Sequence, residues 1–349
     1  MLLPNSQNAK SNSKPCVEAC LIAFGSLKDM TVLLTGGAGY IGSHVVRLLQ
    51  QRGEKVIVVD DLSEGIEARV GNAELVKLDL AADGAIDKLT SVFLEHGVQA
   101  VVHLAARKKV GESVERPEWY AEQNVGGLKN LLAAMRAAGV DRLVFSSSAA
   151  TYGVPDSPRV NEDFDCKPIN PYGQTKLDGE HLVQAAAVQW GLREVSLRYF
   201  NVAGTGWPEL VDTQAANLVP IVFQSLEQGV TPRVFGSDYP TPDGTCVRDY
   251  VHVLDLAEAH LAAIDYLERD ERPFDVFNVG TGVGSSVLEV IREVASVSKT
   301  EIVPQIEPRR PGDPAFLAAD VSRIDKILGW RAKYDLHEII KSVWEAQNK

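Results

Sequence analysis

The segment Tyr172–Gly–Gln–Thr–Lys176 places a phenol and an ammonium four residues apart, immediately after Pro171. Proline is favoured in the first turn of a helix, and residues at i and i+4 share one helix face. A free phenol titrates near pH ~10 and is a poor base at neutral pH. A neighbouring ammonium favours the phenolate and would bring the phenol of Tyr172 down towards a useful range for proton transfer. The same spacing also arises on ordinary amphipathic helices, so context decides. Upstream stands the apolar run Arg142–Ser146, continued by the hydroxyls Ser146–Ser147–Ser148. A serine at the carboxyl end of a parallel strand lies at the rim where ligands bind. Ser148 could there relay a proton between a substrate hydroxyl and Tyr172; alternatively, it is a loop-start residue bonding local backbone.

A second constellation lies near the start. Thr35–Gly–Gly–Ala–Gly–Tyr–Ile–Gly42 follows the buried strand Thr31–Thr35 directly and opens a helix. Gly36, Gly39 and Gly42 allow a tight turn and let backbone approach a pyrophosphate at the helix N-terminus, where Tyr40 and Ile41 also stand. Asp60 ends the next strand, where a carboxylate can bind both ribose hydroxyls of an adenosine. Alone, the glycines would be compatible with a turn that holds no ligand. The order strand, glycines, helix, strand, acid makes a dinucleotide the better reading, and Asp60 with Asp61 would repel a 2′-phosphate, favouring NAD over NADP. The positive nicotinamide ring would join Lys176 in favouring the phenolate of Tyr172.

These residues need a scaffold that brings strand ends together. Besides Thr31–Thr35, runs at 55–59, 100–104, 142–146 and 194–199 read as strands, and the helical stretches between them include 41–52, 119–138 and 172–190. Strands apolar throughout and separated by helices imply an α/β fold with a doubly wound parallel sheet, covered on both faces. After Asn201 the regularity fails. Residues 204–216 and 235–245 read as long loops rich in Gly, Pro, Asp and Thr, with helices expected at 217–228, 255–267 and 286–298 and near the C-terminus. Residues 1–29 are expected to be a disordered or extended N-terminus, 30–203 a Rossmann domain rejoined by part of 250–281, and 204–349 mainly a smaller α/β substrate-binding domain.

Composition is that of an ordinary globular protein of 349 residues, and its net charge of −12 disfavours a nucleic-acid partner. The four cysteines (Cys16, Cys20, Cys166, Cys246) show no metal-ligand spacing, so no metal and reduced thiols in the cytoplasm are expected. No apolar run approaches the roughly 20 residues that span a bilayer, so no membrane association is expected. Met30, directly before the first strand, fits an upstream-extended start better than a signal peptide.

Together these motifs resemble the extended short-chain dehydrogenase/reductase family, and within it the branch that epimerises UDP-sugars at C4. The resemblance covers about Met30 to Trp330. It rests also on His103–Leu–Ala–Ala–Arg–Lys108, Val110–Gly–Glu–Ser–Val114, Leu197–Arg–Tyr–Phe–Asn201, the stretch from Gly244 to Asp255, and Pro308–Arg–Arg–Pro–Gly–Asp313. It implies reversible C4 epimerisation of UDP-glucose and UDP-galactose through a 4-keto sugar, with resident NAD and a homodimer. The helix at 119–138 could supply the partner surface or simply core. Carried over residue by residue, Asp79 and Leu80 would contact adenine, Lys108 and Asn124 the ribose or phosphate region, and Tyr199 would lie beside the nicotinamide. Leu104, Ala105 and Ser146 complete the cofactor set with Gly36–Gly42, Asp60, Asp61, Tyr172 and Lys176. Asn201, Asn217 and Leu218 would line the sugar-nucleotide pocket, and Arg248, Arg310 and Asp313 would hold diphosphate and uridine, Tyr172 and Ser148 facing the sugar. For isolated arginines, a salt bridge or solvated charge would be the preferred reading.

Departures from the family pattern narrow the expectation. Relatives that carry out 4,6-dehydration need an acid pair just after the serine run, where this chain has Ala149 and Ala150. At the position that limits the sugar pocket stands Leu317, intermediate in bulk, so UDP-N-acetylhexosamines are an alternative substrate, as are UDP-uronic acids. Ala106 replaces a glycine, and Arg107 replaces a non-polar residue without an assignable role. A non-catalytic NAD-binding regulator is the reading from another class; such proteins typically lose the Tyr or Lys that this chain keeps.

Overall fold

A computed structural model describes residues 30–214, 217–269, 274–310 and 312–348. The expected N-terminal extension, with Cys16 and Cys20, lies outside the described residues. Seven parallel strands form the main sheet, in the spatial order Phe274–Val279, Arg193–Tyr199, Arg142–Ser148, Ala100–His103, Thr31–Thr35, Lys55–Asp60 and Glu74–Lys77. Alternate residues of each strand point to opposite faces, and both faces are covered. Val32, Leu34, Val56 and Val58 pack with Val45 and Leu49 of the helix Tyr40–Arg52 and with Leu256 and Ile264 of the helix Val253–Arg269. Leu33, Ile57, Val101 and Phe145 pack on the other side, against Leu89, Phe93, Leu128, Leu131 and Val183 of the helices Ala85–His96, Gly127–Ala138 and Pro171–Trp190. The fold is thus the doubly wound Rossmann arrangement that the continuous apolar runs implied.

Strand order reverses between Thr31–Thr35 and Ala100–His103, so the loops after these neighbours leave in opposite directions and open a crevice. Beside it lies a second region. There Val247–His252 pairs with Gly284–Ser286, Phe316–Ala319 and Asn201–Ala203, backed by the helices Leu218–Glu227, Val287–Ser298 and Leu336–Gln347 around their own core.

Several elements differ from the sequence reading. The strands Glu74–Lys77 and Phe274–Val279 and the helix Ala85–His96 add to the expected set. The expected helix at 119–138 is built in three parts: Pro117–Tyr120, a π-helical turn Ala121–Gly126, and Gly127–Ala138. Helix 253–269 begins two residues before the expected one, with Val253 and Leu256 buried against the sheet.

Candidate active site

One cavity of about 920 Å³ runs across the carboxyl ends of the parallel strands and into the second region. That lies at the upper end of the ~300–1,000 Å³ range of small-molecule sites. The glycine turn forms one wall. Gly36 has φ +72° and a Cβ there would sit 2.6 Å from Ala105 N, because the turn crosses the diverging neighbour strand at closest approach. A Cβ on Gly42 would lie 2.2 Å from Gly36 O, so the turn also packs on itself, whereas Gly39 meets only Gly36 O at 3.3 Å. Gly39 caps Tyr40–Arg52 with no side chain. The first amides of that helix have no intrahelical acceptor, which makes the turn suited to an anion.

Asp60 is buried at the cavity wall. Its two oxygens accept from Ala38 N (3.0 Å) and Leu62 N (2.9 Å), and burial pushes its pKa up against those bonds. Asp61 is held below the usual carboxylate range: against its partial burial act the hydroxyl and amide of Ser63 and the guanidinium of Arg107. Asp79 accepts from Ala81 N at 2.9 Å and from Gln123 Nε2 at 3.4 Å, and Leu80 is buried beside it. These residues, with Leu104, Ala105 and Lys108, line the dinucleotide side of the cavity. Asn124 lines it too, but its amide is engaged: it accepts from Arg107 N (2.7 Å) and donates to Arg107 O and to Thr175 Oγ1 (3.0 Å each).

Tyr172 follows Pro171 at the start of its helix, whose cap Asn170 accepts from Gly173 N at 2.8 Å. Tyr172 and Lys176 both line the cavity, yet both are nearly fully buried. The Lys176 ammonium lies 6.0 Å from the centre of the Tyr172 ring, on the shared helix face. Burial raises the pKa of Tyr172, offset only by a hydrogen bond with Ser148. The Lys176 amine donates instead to Ser146 O at 2.8 Å, and burial lowers its own pKa to about 8 against the pull of Glu180. Ser148 Oγ also accepts from Ala150 N at 3.1 Å, the local backbone bond of its alternative reading. Tyr199 lines the cavity close to Tyr172, and burial and that neighbouring phenol raise its pKa.

On the far side the cavity is lined by Asn201, Asn217, Arg248, Arg310, Asp313 and Leu317, and between the two halves by Ala149 and Ala150. Arg248 pairs in register with Leu317, donates to Val247 O at 2.8 Å and reaches Asp313 at 3.3 Å. The Arg310 guanidinium stacks on Phe235 at 3.8 Å. Asn217 caps Leu218–Glu227 and donates to Val202 O at 3.3 Å. Two expected residues stay behind the wall. Ser146 offers its carbonyl to Lys176 and its hydroxyl to His260 at 3.1 Å, and Leu218 packs into the second region's core.

Sequence reasoning missed several lining residues, among them Ser63, Glu64, Arg69, Gln123 and Asp212. No local motif marks them, because they sit on loops and turns whose only shared property is facing the crevice. Among the described residues Arg69 Nε, Asp212 Oδ2 and Gln214 Oε1 are buried polar atoms without a protein partner. All three residues line the cavity, as a polar, charged ligand requires.

Residues 32–280 match the NAD dependent epimerase/dehydratase family. The chain is 42% identical over 320 residues to the UDP-glucose 4-epimerase of Halalkalibacterium halodurans, covering 90% of this chain and 95% of that one. Among solved structures it resembles the UDP-glucose-4-epimerase of Stenotrophomonas maltophila with bound NAD and formylated UDP-arabinopyranose. There the TM-score is 0.87 at 39% identity, over 91% of this chain and 98% of that one. The UDP-glucose 4-epimerase of Brucella ovis in complex with NAD gives a TM-score of 0.85 at 38% identity, with the same coverage of 91% and 98%.

Proposed function

The chain belongs to the NAD dependent epimerase/dehydratase family, and on that premise we propose that it interconverts UDP-glucose and UDP-galactose by reversible epimerisation at C4. The observation that carries this reading is the shared cavity: glycine turn and Asp60 at one end, Arg248 and Arg310 at the other, Tyr172 with Ser148 between. NAD, when bound, would supply reversible hydride acceptance at C4, and because it would end each turnover in its starting form, retention suits it.

The protein's residues do the rest. Amides at Tyr40–Gly42 receive the pyrophosphate, and Asp60 the adenosine ribose. Tyr172 removes the C4 hydroxyl proton, with Ser148 bridging phenol and sugar, and gives it back when the new epimer forms. Lys176, at the inner end of the same helix face, adds positive charge beneath the site. Arg248 and Arg310 grip the diphosphate by charge-assisted hydrogen bonds while the sugar is held loosely enough to turn. Ala149 and Ala150 have no proton to give, which favours epimerisation over dehydration. Residues 30–203 with part of 250–281 form the NAD-binding half in this reading, supported by the pairing of Phe274–Val279 with Arg193–Tyr199. Residues 204–349 otherwise form the sugar-nucleotide half.

The test is conversion of UDP-galactose to UDP-glucose by the purified protein, repeated with Tyr172→Phe. The substitution is expected to cut the rate by roughly 10²–10⁴-fold while NAD stays bound. A wild-type protein that holds NAD but converts nothing would leave the regulator reading in place. UDP-N-acetylgalactosamine run in parallel tests the wider pocket that Leu317 at the cavity wall favours, and UDP-glucuronate tests the separate uronic-acid alternative. A cytoplasmic homodimer completes the proposal, and native mass spectrometry reads its mass and any retained NAD together.

A further inference from the structure

Arg107, which the family resemblance left without a role, is tied into the mouth of the cavity from several sides. Its guanidinium meets Asp61 Oδ2 at 2.5 Å and donates to Ser63 Oγ, both on the loop after the strand Lys55–Asp60. It also donates to Gln123 Oε1 (3.0 Å from Nη2) in the π-helical turn and lies 5.1 Å from the centre of the Trp119 ring. Its backbone is gripped on both sides by the Asn124 amide. The loops after Lys55–Asp60 and after Ala100–His103 belong to opposite sides of the strand-order reversal, and both line the cavity. Arg107 therefore closes a bridge between walls that the backbone leaves apart.

We propose that Arg107 is a positioning residue that retains the dinucleotide, by latching the loop behind Asp60 to the opposite wall across the adenosine end of the cleft. The inference rests on the NAD reading above. Location supports it: Asp61 directly follows the ribose-facing Asp60, and Gln123, the far anchor, is bonded to Asp79. Burial supports it as well. The Arg107 and Asp61 side chains are 18% and 26% exposed, so water and salt screen this pair less than the parallel Lys109–Glu64 bridge, at 50% and 33%. A guanidinium with a planar fork backed by an aromatic ring is suited to such a joint, which a lysine would not reproduce. Dinucleotide leaves when the bridge opens, so bridge strength sets the release rate.

The test uses the purified protein loaded with radiolabelled NAD and chased with unlabelled NAD, reading the exchange rate. Arg107→Leu is expected to speed exchange about tenfold, equivalent to ~1.4 kcal/mol. Raising salt from 0.1 to 1 M should speed exchange in the wild type and leave Arg107→Leu little changed. Asp61→Asn should also speed exchange, and the double variant should exchange no faster than Arg107→Leu, because both remove one contact. Arg107→Lys, which keeps the charge without the fork, should fall between. Unchanged exchange in Arg107→Leu, or additive acceleration in the double variant, overturns the latch alone. A wild-type protein that binds no NAD overturns the cofactor reading and the latch with it. Should Arg107→Leu not fold, the same exchange and salt measurements on Asp61→Asn decide, with wild-type behaviour overturning the latch.

Discussion

Replacing Lys176 by methionine should leave the protein inactive yet, at neutral pH, as stable as wild type or more so. The Lys176 side chain is buried, and its pKa falls from 10.5 to about 8 because burial penalises the charged form more than Glu180 supports it. At about 1.36 kcal/mol per pH unit, that fall represents roughly 3 kcal/mol of strain in the protonated folded state. A lysine whose folded pKa is depressed carries this penalty in full below pH ~8. The penalty is relieved as pH rises from about 8 towards the unfolded value near 10.4, where the unfolded chain binds the extra proton. Methionine removes the penalty but strands the Ser146 carbonyl that Nζ now bonds at 2.8 Å, at a cost of about 1–3 kcal/mol. The net expectation at pH 7 is about 0–2 kcal/mol in favour of Lys176→Met. The assay is urea denaturation of NAD-free wild type and variant at pH 7 and pH 9.5, so that ligand linkage does not enter. Wild type should gain on the variant as pH rises. A variant destabilised by more than about 2 kcal/mol at pH 7, with a difference that does not change with pH, would refute the claim that burial strains this charge.

Other perturbations test the remaining parts of the site. Gly42→Ala puts a methyl 2.2 Å from Gly36 O and 2.8 Å from Gly37 Cα, both backbone, so the turn must open. We expect a loss of about 1–3 kcal/mol in urea titrations and protein that purifies without NAD absorbance. Arg248→Leu removes one charged contact to the diphosphate, expected to cost about 1.5–3 kcal/mol; KM for UDP-galactose should rise roughly 10–150-fold with kcat much less affected. Glu180→Gln leaves the Arg198 guanidinium, now paired at 2.6 Å and buried, without a counter-charge. Equilibrium unfolding should show a loss of about 3–5 kcal/mol, and a loss under 1 kcal/mol would contradict it.

The large sheet was legible because its central strands are buried on both faces and therefore read as unbroken apolar runs, as in Thr31–Thr35. The strands that escaped notice lack that property for identifiable reasons. Glu74–Lys77 lies at the sheet edge, with both ends exposed and only two partly buried residues between. Phe274–Val279 carries Asn278, a polar residue in a fully buried position. It is tolerated because Tyr152 OH donates to it at 2.7 Å and it donates to Val160 O at 2.9 Å, over a hundred positions away in sequence. Local pattern cannot foresee partners so distant. The same holds for the π-helical turn at Ala121–Gly126, where apolar spacing continues through a backbone that widens.

The site divides along similar lines. Gly36, Gly42, Asp60 and Tyr172 could be picked out because the chemistry expected of them depends on spacing or on a place at a strand end, whereas Arg248 came only with the family resemblance. What spacing cannot convey is the cost of burial. The YxxxK interval puts Lys176 on the face of Tyr172, but a buried ammonium needs an acceptor, and it bonds Ser146 O, thirty residues upstream. The phenol is raised by its own burial and lowered by its hydrogen bond with Ser148. Lys176 stands 6.0 Å from the Tyr172 ring, and a second positive charge, from outside the chain, would join it in bringing the phenol into a working range. The oxidised nicotinamide carries such a charge and the reduced ring does not. Proton transfer at Tyr172 should therefore follow the redox state of the cofactor: absorbance titration of the phenol should show a lower midpoint in protein loaded with NAD than with NADH. Equal midpoints would return the role to Lys176.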